Sequence, residues 1–237
     1  MNVVQEFSRF ANQYDSYNSV QSEVAKRLVS MIKSKQYKSI IDIGCGSGLI
    51  YKNLTQSNIS FREFTALDFS MEMLDIHPNS KEINKIHFDF NKQQNFELLQ
   101  QYDCVISSSA LQWSSDLDMT LGEIAKLSTE YYFSFFTANT FSTLHKIADI
   151  KSPIYSYKDL QNSISKYFDC SFEIVKYNLS FDTVYEMFQY IKKSGVSGGV
   201  RQLSYAKTKE LIKNYPLNYL EFEVLFAVGS VKKPTNL

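Results

Sequence analysis

The chain has 237 residues, 44% hydrophobic and 21% charged, with 25 basic side chains against 25 acidic ones. It is too apolar for a disordered chain, and its zero formal charge argues against nucleic acid as the main partner, because phosphate binding draws on a basic surplus. No apolar run approaches the roughly 20 residues that span a bilayer, and Met1 to Phe7 lack the basic start and apolar stretch of a secretory signal, so a cytoplasmic, non-membrane protein is expected.

In residues 18–33, Val20, Val24, Ala25, Leu28, Val29 and Ile32 recur at helical spacing, which predicts an amphipathic helix. The first strand is expected at Lys38–Ile43 and runs directly into Gly44-Cys-Gly-Ser-Gly48, after which a helix opens near Leu49. Further strands are expected at Phe61–Leu67 ending at Asp68, Lys85–Phe88 ending at Asp89, Tyr102–Ile106 ending at Ser107, and the aromatic run Glu130–Phe136. Helical stretches at Ser70–Leu74, Asn95–Gln101 and Leu117–Leu127 separate them, and this alternation predicts βαβ units with a mostly parallel sheet.

The last third reads as a strand at Ser171–Ser180, a helix at Asp182–Lys193 opening on an aspartate cap, a glycine loop at 195–199 and a helix near 205–214. Tyr219–Val228 alternates apolar and other residues, which predicts a half-buried, antiparallel last strand. One domain over 1–237 is expected, with helices over 1–33 at its start and a helical cap over 182–218 before the last strand. The cysteines, Cys45, Cys104 and Cys170, are odd in number and widely spaced, and His77, His87 and His145 show no ligand spacing, so neither a disulfide framework nor a metal is expected.

Asp42-Ile-Gly-Cys-Gly-Ser-Gly48 is spaced G-x-G-x-G, unlike the G-x-G-x-x-G turn that cradles a dinucleotide pyrophosphate. An aspartate before the turn is a poor neighbour for pyrophosphate but suits a ligand with an ammonium and a sulfonium. The pattern resembles the first motif of class I S-adenosylmethionine-dependent methyltransferases. Asp68, 20 residues after Gly48 at the end of the second strand, then stands where a carboxylate accepts ribose hydroxyls. The resemblance places Asp89 near the adenine amino group, with Cys45, Phe69, Met73, Phe90 and Ser107 also on the cofactor. Gln112 and the single tryptophan, Trp113, follow the fourth strand and would wall the sulfonium side.

Several segments together are more specific. Tyr14 followed seven residues later by Gln21, Ser107–Trp113 (SSSALQW), Phe136–Leu144 and Leu220–Phe226 resemble, in order, the malonyl-acyl-carrier-protein O-methyltransferases of biotin synthesis. The resemblance implies a Rossmann-like class I methyltransferase with a seven-stranded sheet, an N-terminal lid and a helical insertion before the last strand. It implies methyl transfer from S-adenosylmethionine to the free carboxylate of a malonyl thioester on acyl-carrier protein or coenzyme A, leaving S-adenosylhomocysteine. Tyr14 and Gln21 would close over cofactor and substrate, and Arg201 would grip the carboxylate, with His145 and Lys146 as further candidates. Lys192, Lys193, Arg201, Lys207, Lys209 and Lys213 would face the acidic carrier protein, and a monomer is expected. Ser108 replaces the family's usual asparagine, and Lys146 stands where an acidic residue is common. Three alternatives stay open at this level: a methyltransferase acting on another small carboxylate or a quinone-like acceptor, a non-catalytic adenosylmethionine-binding subunit, and a nicotinamide oxidoreductase.

Overall fold

The computed structural model describes residues 18–193 and 204–232. Helix α1 (Ser19–Ser30) leads into β1 (Gln36–Ile43), α2 (Leu49–Gln56), β2 (Ser60–Asp68), α3 (Met71–Ile76) and β3 (Ile83–His87). Strand β4 (Cys104–Ser108), α4 (Leu117–Ile124), β5 (Glu130–Phe136), α5 (Ser142–Ala148) and α6 (Tyr157–Tyr167) follow. The chain closes with β6 (Phe168–Ser180), α7 (Val184–Lys193), α8 (Tyr205–Asn214) and β7 (Tyr219–Val231).

The seven strands lie in the order β3-β2-β1-β4-β5-β7-β6. Strands β1 to β5 are parallel, and β7 runs antiparallel to both β5 and β6. Neighbouring residues of β1 serve opposite faces, as a period of two requires: Ile40 belongs to the core that includes α1 residues Val24 and Leu28, and Ile41 to the core that includes Leu121 and Leu160. Covering both faces is what lets a parallel sheet exist in water, and each fully buried leucine or isoleucine contributes roughly 2 kcal/mol.

Strand β5 buries Tyr131, Tyr132, Phe133, Phe135 and Phe136, and its tyrosines find polar partners as buried phenols must. Tyr131 donates to Ala125 O at 3.1 Å, and Tyr132 donates to the Glu130 carboxylate.

Four features differ from the sequence reading. Strand β7 was expected to be half-buried, yet residues 222–227 are buried in succession: it is an interior strand whose two faces enter the two cores, Phe222, Val224 and Phe226 in one and Leu225 and Ala227 in the other. The edge falls instead to β6, which keeps alternating exposure. The stretch at Asn95–Gln101 forms only a 3-10 turn over Gln93–Leu98. Helix α7 is capped by Thr183 rather than Asp182: the Thr183 hydroxyl accepts Glu186 N–H at 3.2 Å. Helix α6, absent from the sequence reading although Tyr157, Leu160, Ile164 and Tyr167 fall at helical spacing, starts on a reciprocal capping box between Ser156 and Asp159.

Candidate active site

The register fixes where chemistry can occur. From β1 the chain winds toward β2 and β3 on one side, and β4 begins the other half of the sheet, so the strand order reverses between β1 and β4. Ligands of open α/β sheets bind beyond the carboxyl ends of the strands at such a point. Pairings Asp42↔Ala66 and Asp42↔Ile106 bring the ends of β1, β2 and β4 level, and a cleft opens there, its space about 730 Å³ with the open mouth included.

The glycine turn forms the floor of the cleft. Gly44 and Cys45 donate their N–H groups to Leu67 O at 2.8 and 2.9 Å, and Gly48 N–H returns to Cys45 O at 3.0 Å, immediately before α2. Gly44 has φ +77° and Gly46 φ +51°, conformations that cost a side-chain-bearing residue about 1 kcal/mol or more. A Cβ on Gly46 would meet nothing within 4 Å, so open cleft space begins at its backbone.

Asp68 locks the turn to β2. One carboxylate oxygen accepts Gly46 N–H at 2.9 Å and the other accepts Ser70 N–H at 2.9 Å. Each oxygen retains a lone pair for a ligand hydroxyl. Burial raises the Asp68 pKa, and the backbone donors offset only part of that rise. Asp42 is fully buried, and neither of its carboxylate oxygens has a hydrogen-bond partner. Burial and then the charge of Asp68 push its pKa well above the ordinary carboxylate value. A cation bound above this floor would favour the ionised form of both carboxyls. Burial also raises the Cys45 thiol, followed by the charges of Asp68 and Asp42, which keeps it protonated and unsuited to attack.

Helix α1 supplies one wall with Gln21 and Ala25, which share a face at i and i+4. Gln21 is buried, and its side-chain oxygen lacks a partner. Phe69, Met73 and Phe90 line another wall and offer apolar surface for a flat ring. Ser108, Ser109, Ala110 and Trp113, after β4, complete the opposite side.

The structure therefore brings Gln21, Asp42, Gly44, Cys45, Gly46, Asp68, Phe69, Met73, Phe90 and Trp113 to one cleft. Other sequence candidates sit elsewhere. Ser107 is buried and donates to Ile43 O at 2.6 Å, tying β4 to β1, and Gln112 is buried and donates to Ser109 O at 2.7 Å. Asp89 caps its own loop, accepting Asn91 N–H at 3.0 Å and facing Lys92 Nζ at 3.7 Å. His145 sits on α5 against Phe141, its Nδ1 buried without a partner and its pKa lowered by burial, so the ring is neutral near pH 7. Tyr14 and Arg201 lie outside the described residues. Ser109, Ala110 and Ala25 were not singled out by sequence, although Ala25 is one turn from Gln21 on the same face.

Among the described residues no group of His, Cys, Asp and Glu side chains could hold a metal ion, and no helix is long and apolar enough to cross a membrane.

A glycine turn, a carboxylate at the end of β2 and an antiparallel last strand between β5 and β6 define a methyltransferase of the class I fold. The family model described as a methyltransferase domain matches residues 41–130. The chain belongs to the malonyl-[acyl-carrier protein] O-methyltransferase family: it is 30% identical to the protein of that name from Acetivibrio thermocellus, over 97% of this chain and 88% of that one. The namesake from Neorickettsia risticii is 24% identical over 96% of this chain and 95% of its own. With the Bacillus cytotoxicus relative the alignment is 31% identical but spans 59% of this chain and 51% of that protein. Two solved structures share the fold. One is a chain of the complex between the Haloferax volcanii Trm112 methyltransferase activator and a methyltransferase (TM-score 0.63, 16% identity, 96% of this chain and 98% of that one). The other is the YcgJ protein of Bacillus subtilis (TM-score 0.64, 12% identity, 89% and 98%).

Proposed function

We propose that this protein transfers a methyl group from S-adenosylmethionine to the free carboxylate of a malonyl thioester on acyl-carrier protein, giving the methyl ester that primes biotin synthesis. The observation that carries the reading is the chain-long kinship with a malonyl-[acyl-carrier protein] O-methyltransferase, 30% identical over 97% of this chain.

The residues present fit the cofactor. Asp42 and Gln21 carry buried oxygens without partners, suited to a cationic amino-acid end, and Gly46 leaves space where any side chain would intrude. Asp68 would accept the ribose hydroxyls, while Phe69, Met73 and Phe90 would enclose the base. When bound, S-adenosylmethionine supplies an electrophilic methyl group on a sulfonium.

The chemistry asks little of acids and bases. A malonyl carboxylate is ionised at neutral pH and is its own nucleophile, so the protein has to align it behind the sulfonium and exclude the water that would solvate it. Trp113, partly exposed at the cleft, would wall the reacting side. Arg201 would hold the carboxylate with its planar fork, and Tyr14 would close above it. His145, being neutral, would serve as a hydrogen-bond donor rather than a cation, with Lys146 beside it. Exposed Lys207 and Lys209 on α8 continue the basic run from Lys192 to Lys213 and would meet the acidic carrier protein. Residues 1–33 act as a lid and 182–218 as the cap over the acyl group, within one domain. The enzyme works as a cytoplasmic monomer.

Intact-mass spectrometry of malonyl-acyl-carrier protein after incubation with enzyme and S-adenosylmethionine tests the reading. A gain of one methyl group on the malonyl form, and none on the acetyl form, is expected. Cofactor binding with no gain on malonyl-carrier protein would discard the acceptor.

A further inference from the structure

Among the described residues lining the cleft, Ser109 is the non-glycine residue in the left-handed region, with φ +58°. Such a conformation persists only where its surroundings over-determine it, and it concentrates at functional sites. Ser109 is clamped from both sides. Its N–H donates to Ser134 O on β5 at 2.9 Å, and its carbonyl accepts the Gln112 side-chain amide at 2.7 Å. The next residue, Ala110, packs against Gly44 so closely that a Cβ there would lie 2.3 Å from its own. Gln112 is 3% exposed and does not line the cleft, so it acts on the site through Ser109.

This anchoring leaves the Ser109 hydroxyl idle. Its oxygen is shielded from solvent and has no hydrogen-bond partner, so no bond retains it in its present rotamer. One turn about χ1 swings it, while the clamped backbone holds Cβ in place. The cleft presents unpartnered acceptors and no cationic donor among its described lining. Asp42 and Gln21 present unpartnered oxygens, the Ser108 hydroxyl oxygen accepts from the Ser134 hydroxyl at 3.1 Å, and no lysine, arginine or histidine lines the described wall.

We propose that Ser109 is a ligand-binding residue whose hydroxyl donates to a carboxylate, and that Gln112 is the positioning residue that holds it in place. The inference rests on reading the cleft as the methyl-transfer site. Two carboxylates enter that site, one on the methionine end of the cofactor and one on the malonyl acceptor.

The test uses the full-length enzyme with Ser109→Ala, Ser109→Gly, Gln112→Ala and the Gln112→Ala/Ser109→Gly pair. Ser109→Gly relieves the left-handed backbone, so a loss there is not misfolding. Affinity is measured by calorimetry for S-adenosylmethionine and for its decarboxylated analogue, and KM for malonyl-acyl-carrier protein by methyl-transfer kinetics. Losing a hydrogen bond to a charged group weakens one of these by roughly ten- to a hundredfold. A loss seen with S-adenosylmethionine and absent with the decarboxylated analogue assigns the methionine carboxylate, whereas a rise confined to KM assigns the malonyl one. Gln112→Ala should reproduce the loss alone and add nothing in the Ser109→Gly background. Constants within twofold of wild type for both Ser109 variants overturn the proposal, as does a Gln112→Ala effect of equal size in both backgrounds. A wild-type enzyme that binds cofactor without methylating malonyl-carrier protein would retire the acceptor reading alone; the two cofactor measurements would still decide this one.

Discussion

A Cβ on Gly44 would lie 2.3 Å from the Cβ of Ala110, so the glycine turn and the segment after β4 are in direct contact. Gly44 is therefore required by the protein's own packing, while Gly46, with nothing within 4 Å of its missing Cβ, faces open cleft space and answers only to its left-handed backbone. The two alanine variants should separate these demands. Gly44→Ala combines overpacking with left-handed strain and should cost about 2–4 kcal/mol of stability. Gly46→Ala adds only the strain, about 1 kcal/mol, yet its methyl group enters the cleft. Thermal unfolding and calorimetry should show Gly44→Ala losing stability and binding together, and Gly46→Ala losing at least tenfold in cofactor affinity with a small fall in Tm. Equal losses of stability would refute the distinction.

Asp42 offers a second separation. Its folded-state pKa is raised by burial and by Asp68, so the folded protein holds that proton more tightly than the unfolded chain does. The associated stability is present below the ordinary value near 3.8 and is lost as pH rises through the folded value. The ligand-free protein buries this carboxyl without a hydrogen-bond partner, and Asp42→Asn removes the group whose ionisation costs stability as pH rises. The variant should melt higher than wild type without cofactor, by about 2–4 °C per kcal/mol gained, and bind S-adenosylmethionine at least tenfold more weakly. The gap in Tm should close as pH is lowered toward 4. A variant that melts lower at pH 7 would contradict this account.

How much of this could be read from the chain depends on where the signal was local. The turn at Asp42–Gly48 and the aspartate ending β2 announce the cofactor half because adjacent residues carry it. The wall after β4 was legible as a segment but not residue by residue. Gln112 reads as a ligand contact until the fold shows its amide on the Ser109 carbonyl, and only the backbone reveals that Ser109 is left-handed. Alternation in β7 suggested a half-exposed strand, because period two cannot tell that a second core covers its other face, where Leu225 and Ala227 lie. Helix α6 was legible and went unread: it has a start in Ser156-x-x-Asp159 and a stripe of Tyr157, Leu160, Ile164 and Tyr167 among otherwise polar residues.

Two histidines, His77 buried and His145 partly buried, contribute to the acid limb of stability. His77 and His145 both have pKa values lowered by burial from 6.5, so the folded state binds fewer protons than the unfolded chain. Their contribution is present above about 6.5 and is lost as pH falls through the folded values. Urea midpoints measured from pH 7.5 to 5 should fall with pH, and His77→Gln/His145→Gln should flatten that slope. An unchanged slope would show that other groups carry it.

The far edge of the sheet carries a constraint that lies just beyond where the sequence suggested the last strand ends. Strand β7 continues past Val228 to Val231, with Gly229 paired to Cys170 on β6 and to Tyr131 on β5. A Cβ on Gly229 would lie 2.1 Å from Asp169 O and 2.8 Å from the Cα of Cys170, both backbone atoms that cannot rotate away. Close backbone approach is one of the few reasons for glycine inside a strand. Gly229→Ala should therefore separate β6 from β7 at this end and cost about 2–4 kcal/mol, the range of severe overpacking. The cleft lies across the sheet at β1, β2 and β4, so cofactor affinity at 15 °C should stay within a few-fold of wild type while Tm falls. Hydrogen exchange supplies the local readout: the β6–β7 ladder amides of residues 168–172 and 227–231 should lose protection before those of β1 and β4. Uniform loss of protection across the sheet would mean that the edge and centre unfold as one unit and that the damage is not local.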